Sequence, residues 1–275
     1  MPDFILPKLH PAQRVVAESQ ARYRVLACGR RFGKTVLGAA VAAQCAANGG
    51  RVFWLAPVYR QAEEGFGLVR SLALQMPESR IREAALTIDF PSSGGSIEAR
   101  SADDPSRLRG SGLDLAVFDE ARLIDSQAWH EVVRPALLDR HGKALFFSTP
   151  GGRDWFYGLF ERGQGVDPDW RSWRFSTHDN PHIDGKELDE LRQQMPERVY
   201  RQEILAEFLA DGTGVFRGVR AASTVEPKRR AEDASYVSFY DVARTNDFNA
   251  VATFRCGPKL QQVQCDRWSG TTWET

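Results

Sequence analysis

Residues 28–35 read Cys-Gly-Arg-Arg-Phe-Gly-Lys-Thr, and 119–120 form the acidic pair Asp119-Glu120. The first stretch follows the spacing GxxxxGK(S/T) with one departure: Cys28 stands at the first glycine position and Gly29 follows it. In such a loop successive backbone N–H groups, and the N-terminus of the next helix, point at phosphate oxygens. Gly29, Arg30, Arg31, Gly33, Lys34 and Thr35 are therefore candidate nucleotide-binding residues, with Lys34 reaching the β and γ groups of a triphosphate and the Thr35 hydroxyl ligating magnesium. Arg30 and Arg31 either stay solvated or touch the γ-phosphate. Asp119 is the candidate to hold the magnesium, and Glu120 the candidate to orient and deprotonate an attacking water. An acidic pair after a strand can simply cap the next helix; the phosphate loop upstream selects the catalytic reading.

These groups need rigid supports. Residues 23–27 read as a short buried strand and 36–47 as an alanine-rich helix, which gives strand, loop and helix in order. The apolar runs at 51–56, 115–118 and 144–147 are strands buried on both faces, the mark of a parallel sheet. Asp119 and Glu120 then lie at a strand's C-terminal end, where open parallel sheets bind ligands. Ser148-Thr149-Pro150 ends another strand, either as a hydroxyl pair that senses the γ-phosphate or as a plain turn. Apolar positions at helical spacing predict a crossover helix over 59–74, and 86–90 with 96–100 predict a hairpin at the sheet edge. Upstream, Gln13 lies in a helical segment where its amide suits both edges of adenine, or is merely solvated. Arg107 and Arg109 fall in the polar loop 101–112, from which an arginine could reach a phosphate in its own or a neighbouring subunit.

Farther along, a helix over 126–138 should kink or end at Pro135. A short aromatic helix over 153–162 and a strand over 170–176 follow. Helices over 187–195 and 199–208 complete a small subdomain, the second presenting Tyr200, Ile204, Leu205 and Phe208 on one face. Residues 210–232 carry a linker signature that includes Lys228-Arg229-Arg230. Strands over 236–242, 250–254 and 260–265 predict an antiparallel meander, with Asp241 among apolar neighbours where a carboxylate needs a partner or a metal.

With 275 residues, 42% hydrophobic and 26% charged, the chain suits a soluble globular protein with a full core. Lys+Arg and Asp+Glu both total 36, so net charge gives no global nucleic-acid footprint and any such contact must be local. No apolar run approaches a membrane span and the N-terminus lacks a signal-peptide core, so a cytosolic protein with no membrane role is expected. Cysteines at 28, 45, 256 and 265 lack metal-ligand spacing and should be reduced thiols.

Taken together, CGRRFGKT, LAPVYRQAEEGF, LAVFDEA, FFSTPGG, THDNP and YVSFYDVARTNDFNAVATF resemble, in this order, the large terminase subunit of tailed bacteriophages. That family's members are motors that drive double-stranded DNA into a capsid by ATP hydrolysis and cut it. The resemblance implies an α/β P-loop NTPase of the additional-strand-catalytic-glutamate type, with a mainly parallel sheet and a helical lid, followed by the start of an RNase H-like nuclease. The expected division is 1–151 ATPase core, 152–209 lid, 210–232 linker and 233–275 nuclease. Carried over, Lys34 and Thr35 bind phosphate and magnesium, Asp119 holds the metal, Glu120 is catalytic, Ser148-Thr149-Pro150 is the coupling motif and Asp241 is the first nuclease metal ligand. Arg107 or Arg109 is the candidate arginine finger, in cis or in trans.

The implied cofactors are ATP and magnesium, with magnesium or manganese for the nuclease. Double-stranded DNA, a small terminase subunit, a portal protein and a homo-oligomeric ring on the procapsid are the implied partners, and the host cytoplasm is the implied location. Residues 233–275 are fewer than the roughly 50 of an independent domain. The nuclease is accordingly expected to be incomplete here and inactive, with Asp247 and Asp266 in surface roles. Two other readings stand beside the motor: a helicase-like ATPase, suggested by Asp-Glu-Ala-Arg at 119–122, and a nucleotide-gated docking subunit without turnover.

Overall fold

The computed structural model describes residues 5–76, 78–103, 112–209, 233–241, 249–257 and 261–268. Two compact units divide the chain, Met1–Asp211 and Gly212–Thr275.

The first unit runs α1 (Pro11–Ala17), β1 (Tyr23–Cys28), α2 (Lys34–Ala47), β2 (Arg51–Ala56), α3 (Tyr59–Ala73), β3 (Arg80–Arg82), β4 (Thr87–Phe90), β5 (Gly95–Ser101) and β6 (Leu115–Asp119). It continues with α4 (Arg134–Ala136), β7 (Lys143–Ser148), α5 (Trp155–Gln164), β8 (Trp170–Phe175), α6 (Gly185–Gln194) and α7 (Glu197–Glu203). The eight strands form one sheet in the order β3-β4-β5-β2-β6-β7-β1-β8. All pairings from β5 to β8 are parallel, and β3 and β4 extend that edge antiparallel.

Alternation along each strand sorts its side chains to opposite faces. Leu26, Cys28, Trp54 and Phe147 join one core with Leu37 and Phe66 from α2 and α3. Val25, Phe53, Phe118 and Phe146 join the other, with Trp129, Phe156 and Trp170. A sheet covered on both faces leaves its strand ends as the open surface.

The expected strands 23–27, 51–56, 115–118 and 144–147 and the hairpin are all present. Four details differ. Helix α2 starts two residues earlier, at Lys34, because the loop's N–H groups run directly into it. Ahead of Pro135, which lacks the N–H to continue an α-helical ladder, residues Ala128–Val133 form a wide π-turn, and one α-turn follows. Helix α7 stops at Glu203, because Phe208 packs instead on Phe156, Tyr157 and Phe160, with ring centroids 4.9–6.1 Å apart. Finally β8, placed by sequence among the lid residues 152–209, pairs in register with β1 as the sheet's last strand. Among the described residues of 152–209, α6 and α7 form a separate cluster, around Leu188, Tyr200 and Ile204.

In the second unit β9 (Tyr236–Asp241), β10 (Asn249–Arg255) and β11 (Gln261–Trp268) form an antiparallel sheet in the order β11-β10-β9. No helix among the described residues is long and apolar enough to cross a membrane.

Packing of α3 on the sheet gives a paired stability prediction. A Cβ at Gly65 would overlap the buried Trp54 indole, whereas one at Gly67, on the same helix, meets nothing within 4 Å. Gly65→Ala should cost about 1–3 kcal/mol by overpacking. Gly67→Ala should gain about 1 kcal/mol from helix propensity alone. Urea denaturation midpoints of the two variants check both signs.

Candidate functional site

Strands β6, β7 and β1 are neighbours, and their registers pair Asp119 with Phe147 and Ala27 with Ser148, so their C-terminal tips lie level. Lys34, in the first turn of α2, reaches across β7 to Glu120, with Nζ 3.0 Å from Oε1. The hydroxyl pair at the tip of β7 holds both partners. Ser148 Oγ donates to Glu120 Oε2 at 3.0 Å, and Lys34 Nζ donates to Thr149 Oγ1 at 3.3 Å. Pro150 follows directly. Glu120 sits in the left-handed region at φ 49°, a conformation that costs a non-glycine residue on the order of 1 kcal/mol and turns the chain sharply after β6.

The loop itself is bare toward this centre. Arg31 at φ 60° and Gly33 at φ 92° curl the backbone. Among the described residues no acceptor takes the N–H of Arg31, Gly33, Lys34 or Thr35. Gly29 is fixed by space: a Cβ there would lie 2.5 Å from both Ile204 O and Thr177 Oγ1. That accounts for the displaced glycine, since Cys28 still belongs to β1 and is fully buried in the core. Burial pushes the Cys28 thiol up to about 12, partly countered by Lys34, so it packs as a neutral side chain.

Charges at the tip are strongly coupled. Burial, and then the neighbouring Glu120, push the Asp119 carboxyl up to about 7, with Lys34 opposing. For Lys34 burial works against the proton, but the Cys28 sulfur, then Glu120 and then Asp119 outweigh it and hold the ammonium above the ordinary lysine range. Asp119 and the Thr35 hydroxyl offer oxygen donors alone. That set fits magnesium, which takes few protein ligands and keeps its waters. Among the described residues no group of three or more His, Cys, Asp or Glu side chains forms a metal cage.

The structure thus brings Lys34, Asp119, Glu120, Ser148 and Thr149 together at one sheet edge. Gln13 is buried, with Nε2 donating to Gly33 O at 2.9 Å and Oε1 accepting from the His10 N–H at 3.0 Å. Arg30 pairs with Glu203 at 2.6 Å while its own side chain stays exposed, and Arg31 is exposed. A cavity of about 580 Å³ lies on this outer side of the loop, lined by Arg30, Arg31, Leu188, Leu191, Met195 and Val199 among others, and not over Lys34. Arg107, Arg109 and Lys228-Arg229-Arg230 lie outside the described residues. Asp241 ends β9.

The sequence model of the terminase large subunit, T4likevirus-type, N-terminal, matches residues 25–221. This chain belongs to the terminase large-subunit family. The terminase large subunit of Thermus virus P23-45 is 28% identical over 97% of the chain, and that of Escherichia phage T5 is 32% identical over 58% of it. The chain spans 64% and 37% of those relatives' lengths. Among solved structures, the large terminase ATPase domain of Thermus phage P74-26 matches with a TM-score of 0.65 and 30% identity, covering 74% of this chain and 94% of that domain. The large terminase of bacteriophage HK97 shares the fold, with a TM-score of 0.64 at 16% identity over 97% of this chain and 65% of that one. The terminase phosphate loop and acidic pair are thus carried here by a mostly parallel α/β sheet.

Asp119 makes the fold sensitive to pH. Its carboxyl titrates near 7 in the folded chain against an ordinary value of 3.8, so between those values the folded state holds a proton that the unfolded state has released. Stability therefore falls as pH rises from about 4 to about 7 and stays lower above. Asp119→Asn should stabilise the metal-free, nucleotide-free protein by on the order of 2 kcal/mol at pH 8. That gain should vanish at pH 4, as read from urea melts across the range.

Proposed function

We propose that this chain is the ATP-hydrolysing part of a viral DNA-packaging motor. The Lys34–Glu120 contact of 3.0 Å carries the reading, because it places a phosphate-loop lysine and a candidate general base within one ligand's reach. The arriving triphosphate takes Lys34 onto its β and γ oxygens and meets the free N–H groups of the loop. Glu120 is then released from Lys34 but still accepts from Ser148 Oγ, and it orients a water and takes its proton. Thr35 and Asp119 would hold magnesium, which when bound neutralises charge on the phosphate oxygens. Ser148 and Thr149 each touch one member of the ion pair, which supports their reading as the coupling motif with Pro150.

Beyond hydrolysis, we propose double-stranded DNA as the translocated substrate, a small terminase subunit and a portal protein as partners, and a homo-oligomeric ring in the host cytoplasm. Arg107 or Arg109 would supply the arginine finger. The division into ATPase core, lid, linker and nuclease is carried forward with it, with β8 counted in the core sheet and α6 and α7 as the lid. The three-stranded sheet of the second unit would open the RNase H-like domain, with Asp241 as one ligand of a magnesium or manganese ion.

Lys34→Ala should lower ATP turnover by at least about 10³-fold. Glu120→Gln should lower it by about 10²–10⁴-fold while ATP binding tightens, because Lys34 loses its resident competitor. Steady-state hydrolysis with and without duplex DNA, beside calorimetric ATP binding, tests both; full turnover in both variants would sink the reading. Arg107→Ala and Arg109→Ala, each mixed with wild type, identify the finger through the variant whose activity the wild-type subunits restore.

A further inference from the structure

Consecutive carbonyls of the phosphate loop each accept a hydrogen bond from a different side chain. Thr177 Oγ1 donates to Arg30 O at 2.7 Å and Asn180 Nδ2 to Arg31 O at 2.7 Å. His10 Nε2 donates to Phe32 O at 3.0 Å and Gln13 Nε2 to Gly33 O at 2.9 Å. His10 and Gln13 come from the start of α1, before β1, and Thr177 and Asn180 from the turn after β8. His10, Gln13 and Thr177 are buried, and the His10 ring lies edge-on to Phe32 with centroids 4.9 Å apart.

A peptide unit is planar and rigid, so holding the carbonyl of one residue fixes the direction of the next residue's N–H. The bonds at Arg30, Arg31, Phe32 and Gly33 therefore aim the N–H groups of Arg31, Phe32, Gly33 and Lys34. Phe32 N–H turns back to Gly29 O at 3.3 Å. The other three are among those left without an acceptor in the described residues. Engaging these four carbonyls occupies lone pairs that would repel an anion and leaves the N–H groups of Arg31, Gly33 and Lys34 as donors for it.

We propose that His10, Gln13, Thr177 and Asn180 are positioning residues that brace the loop from outside in its anion-binding form. Gln13 serves the phosphate site through Gly33 and not by reading the nucleotide base. This inference rests on the reading that a triphosphate binds at this loop. Because the brace acts on the phosphate cradle, it is blind to the base.

The test uses the whole chain and three probes: ATP, GTP and inorganic tripolyphosphate, which has no base. Gln13→Leu and Thr177→Val remove one strut each from opposite sides, and Thr177→Ser keeps the hydroxyl. Affinities by calorimetry, beside melting temperatures, should show Gln13→Leu and Thr177→Val weakening all three probes by about tenfold and by a common factor. Thr177→Ser should stay within about twofold of wild type. Loss of ATP affinity alone in Gln13→Leu, with tripolyphosphate unchanged, would show a base reader and overturn the proposal. Wild-type affinity in Thr177→Val would overturn it too. Should one variant fail to fold, the other, with the serine rescue at Thr177, decides the question from its own side of the loop. A wild type that binds none of the probes would remove the triphosphate site itself, and the brace with it.

Discussion

Lys34 and Glu120 meet across the tip of a strand to which neither belongs, and most of the fold follows from that meeting. A lysine at the floor of an anion cradle must be shielded from water to grip phosphate strongly, yet a buried ammonium without a partner is costly. Here the partner is Glu120, the carboxylate proposed above as the general base. Lys34 has 12% of its side chain exposed and Glu120 26%, so their attraction acts in a medium far less screening than bulk water. In the proposed reaction a triphosphate would offer Lys34 a more negative partner than one carboxylate, so binding and release of Glu120 would be one exchange. The pair requires β7 to separate β6 from β1, and it requires a short polar tip on β7 to let them touch across it. Ser148 and Thr149 supply that tip.

A loop that offers bare N–H groups to an anion has to dispose of its carbonyls somewhere else, and this constrains segments far away in sequence. Two segments accept that task, one before β1 and one after β8. Both must reach the outer side of the loop, and β8, running parallel beside β1, delivers Thr177 two residues after its end at Phe175. The same approach leaves no room for a side chain at position 29. The unusual placing of glycine in the motif is thus a packing consequence of the turn after the last strand and of the end of α7.

Much of this was legible in the sequence because strongly patterned segments carry their own instructions. The apolar runs of β1, β2, β6 and β7 admitted one reading, and Lys34, Asp119 and Glu120 sit at their ends, where chemistry was expected. What stayed hidden is set by long-range contact. His10, Thr177 and Asn180 are ordinary residues for a helix start and a turn, and nothing local marks them as partners of residues 30–32. Arg24 read as one more strand position. It is buried, its Nη1 donates to the carbonyls of Val16 and Ala17 at the end of α1, and burial lowers its guanidinium to about 10. The helical period ran on to Phe208, but Phe208 leaves α7 to join α5. Strand β3, three residues long with two exposed arginines, has Ile81 as its one apolar residue, too little to set a period.

The attachment of α6 and α7 bears on how a chemical event at the loop would be felt elsewhere. Arg30 N–H donates to Glu203 O at 2.7 Å, Thr177 N–H to Ile204 O at 2.8 Å, and Gly29 N–H to Phe175 O at 3.0 Å. Arg30 and Glu203 are further joined through their side chains. The end of α7 is therefore tied to the backbone of the phosphate loop and to the turn that braces it. Backbone hydrogen bonds tolerate little stretching before they weaken steeply. A change in the loop's peptide orientation as an anion leaves must either break these ties or carry the end of α7 with it. The small separate core of Leu188, Tyr200 and Ile204 lets α6 and α7 respond as a unit, since Ile204 belongs both to that core and to the tie. On the other side of Lys34, the same departure returns the lysine to Glu120 and so to Ser148 at the tip of β7. Under the proposed function one ligand would govern two mechanical outlets, and Lys34, in the turn that follows the tied loop, is common to both.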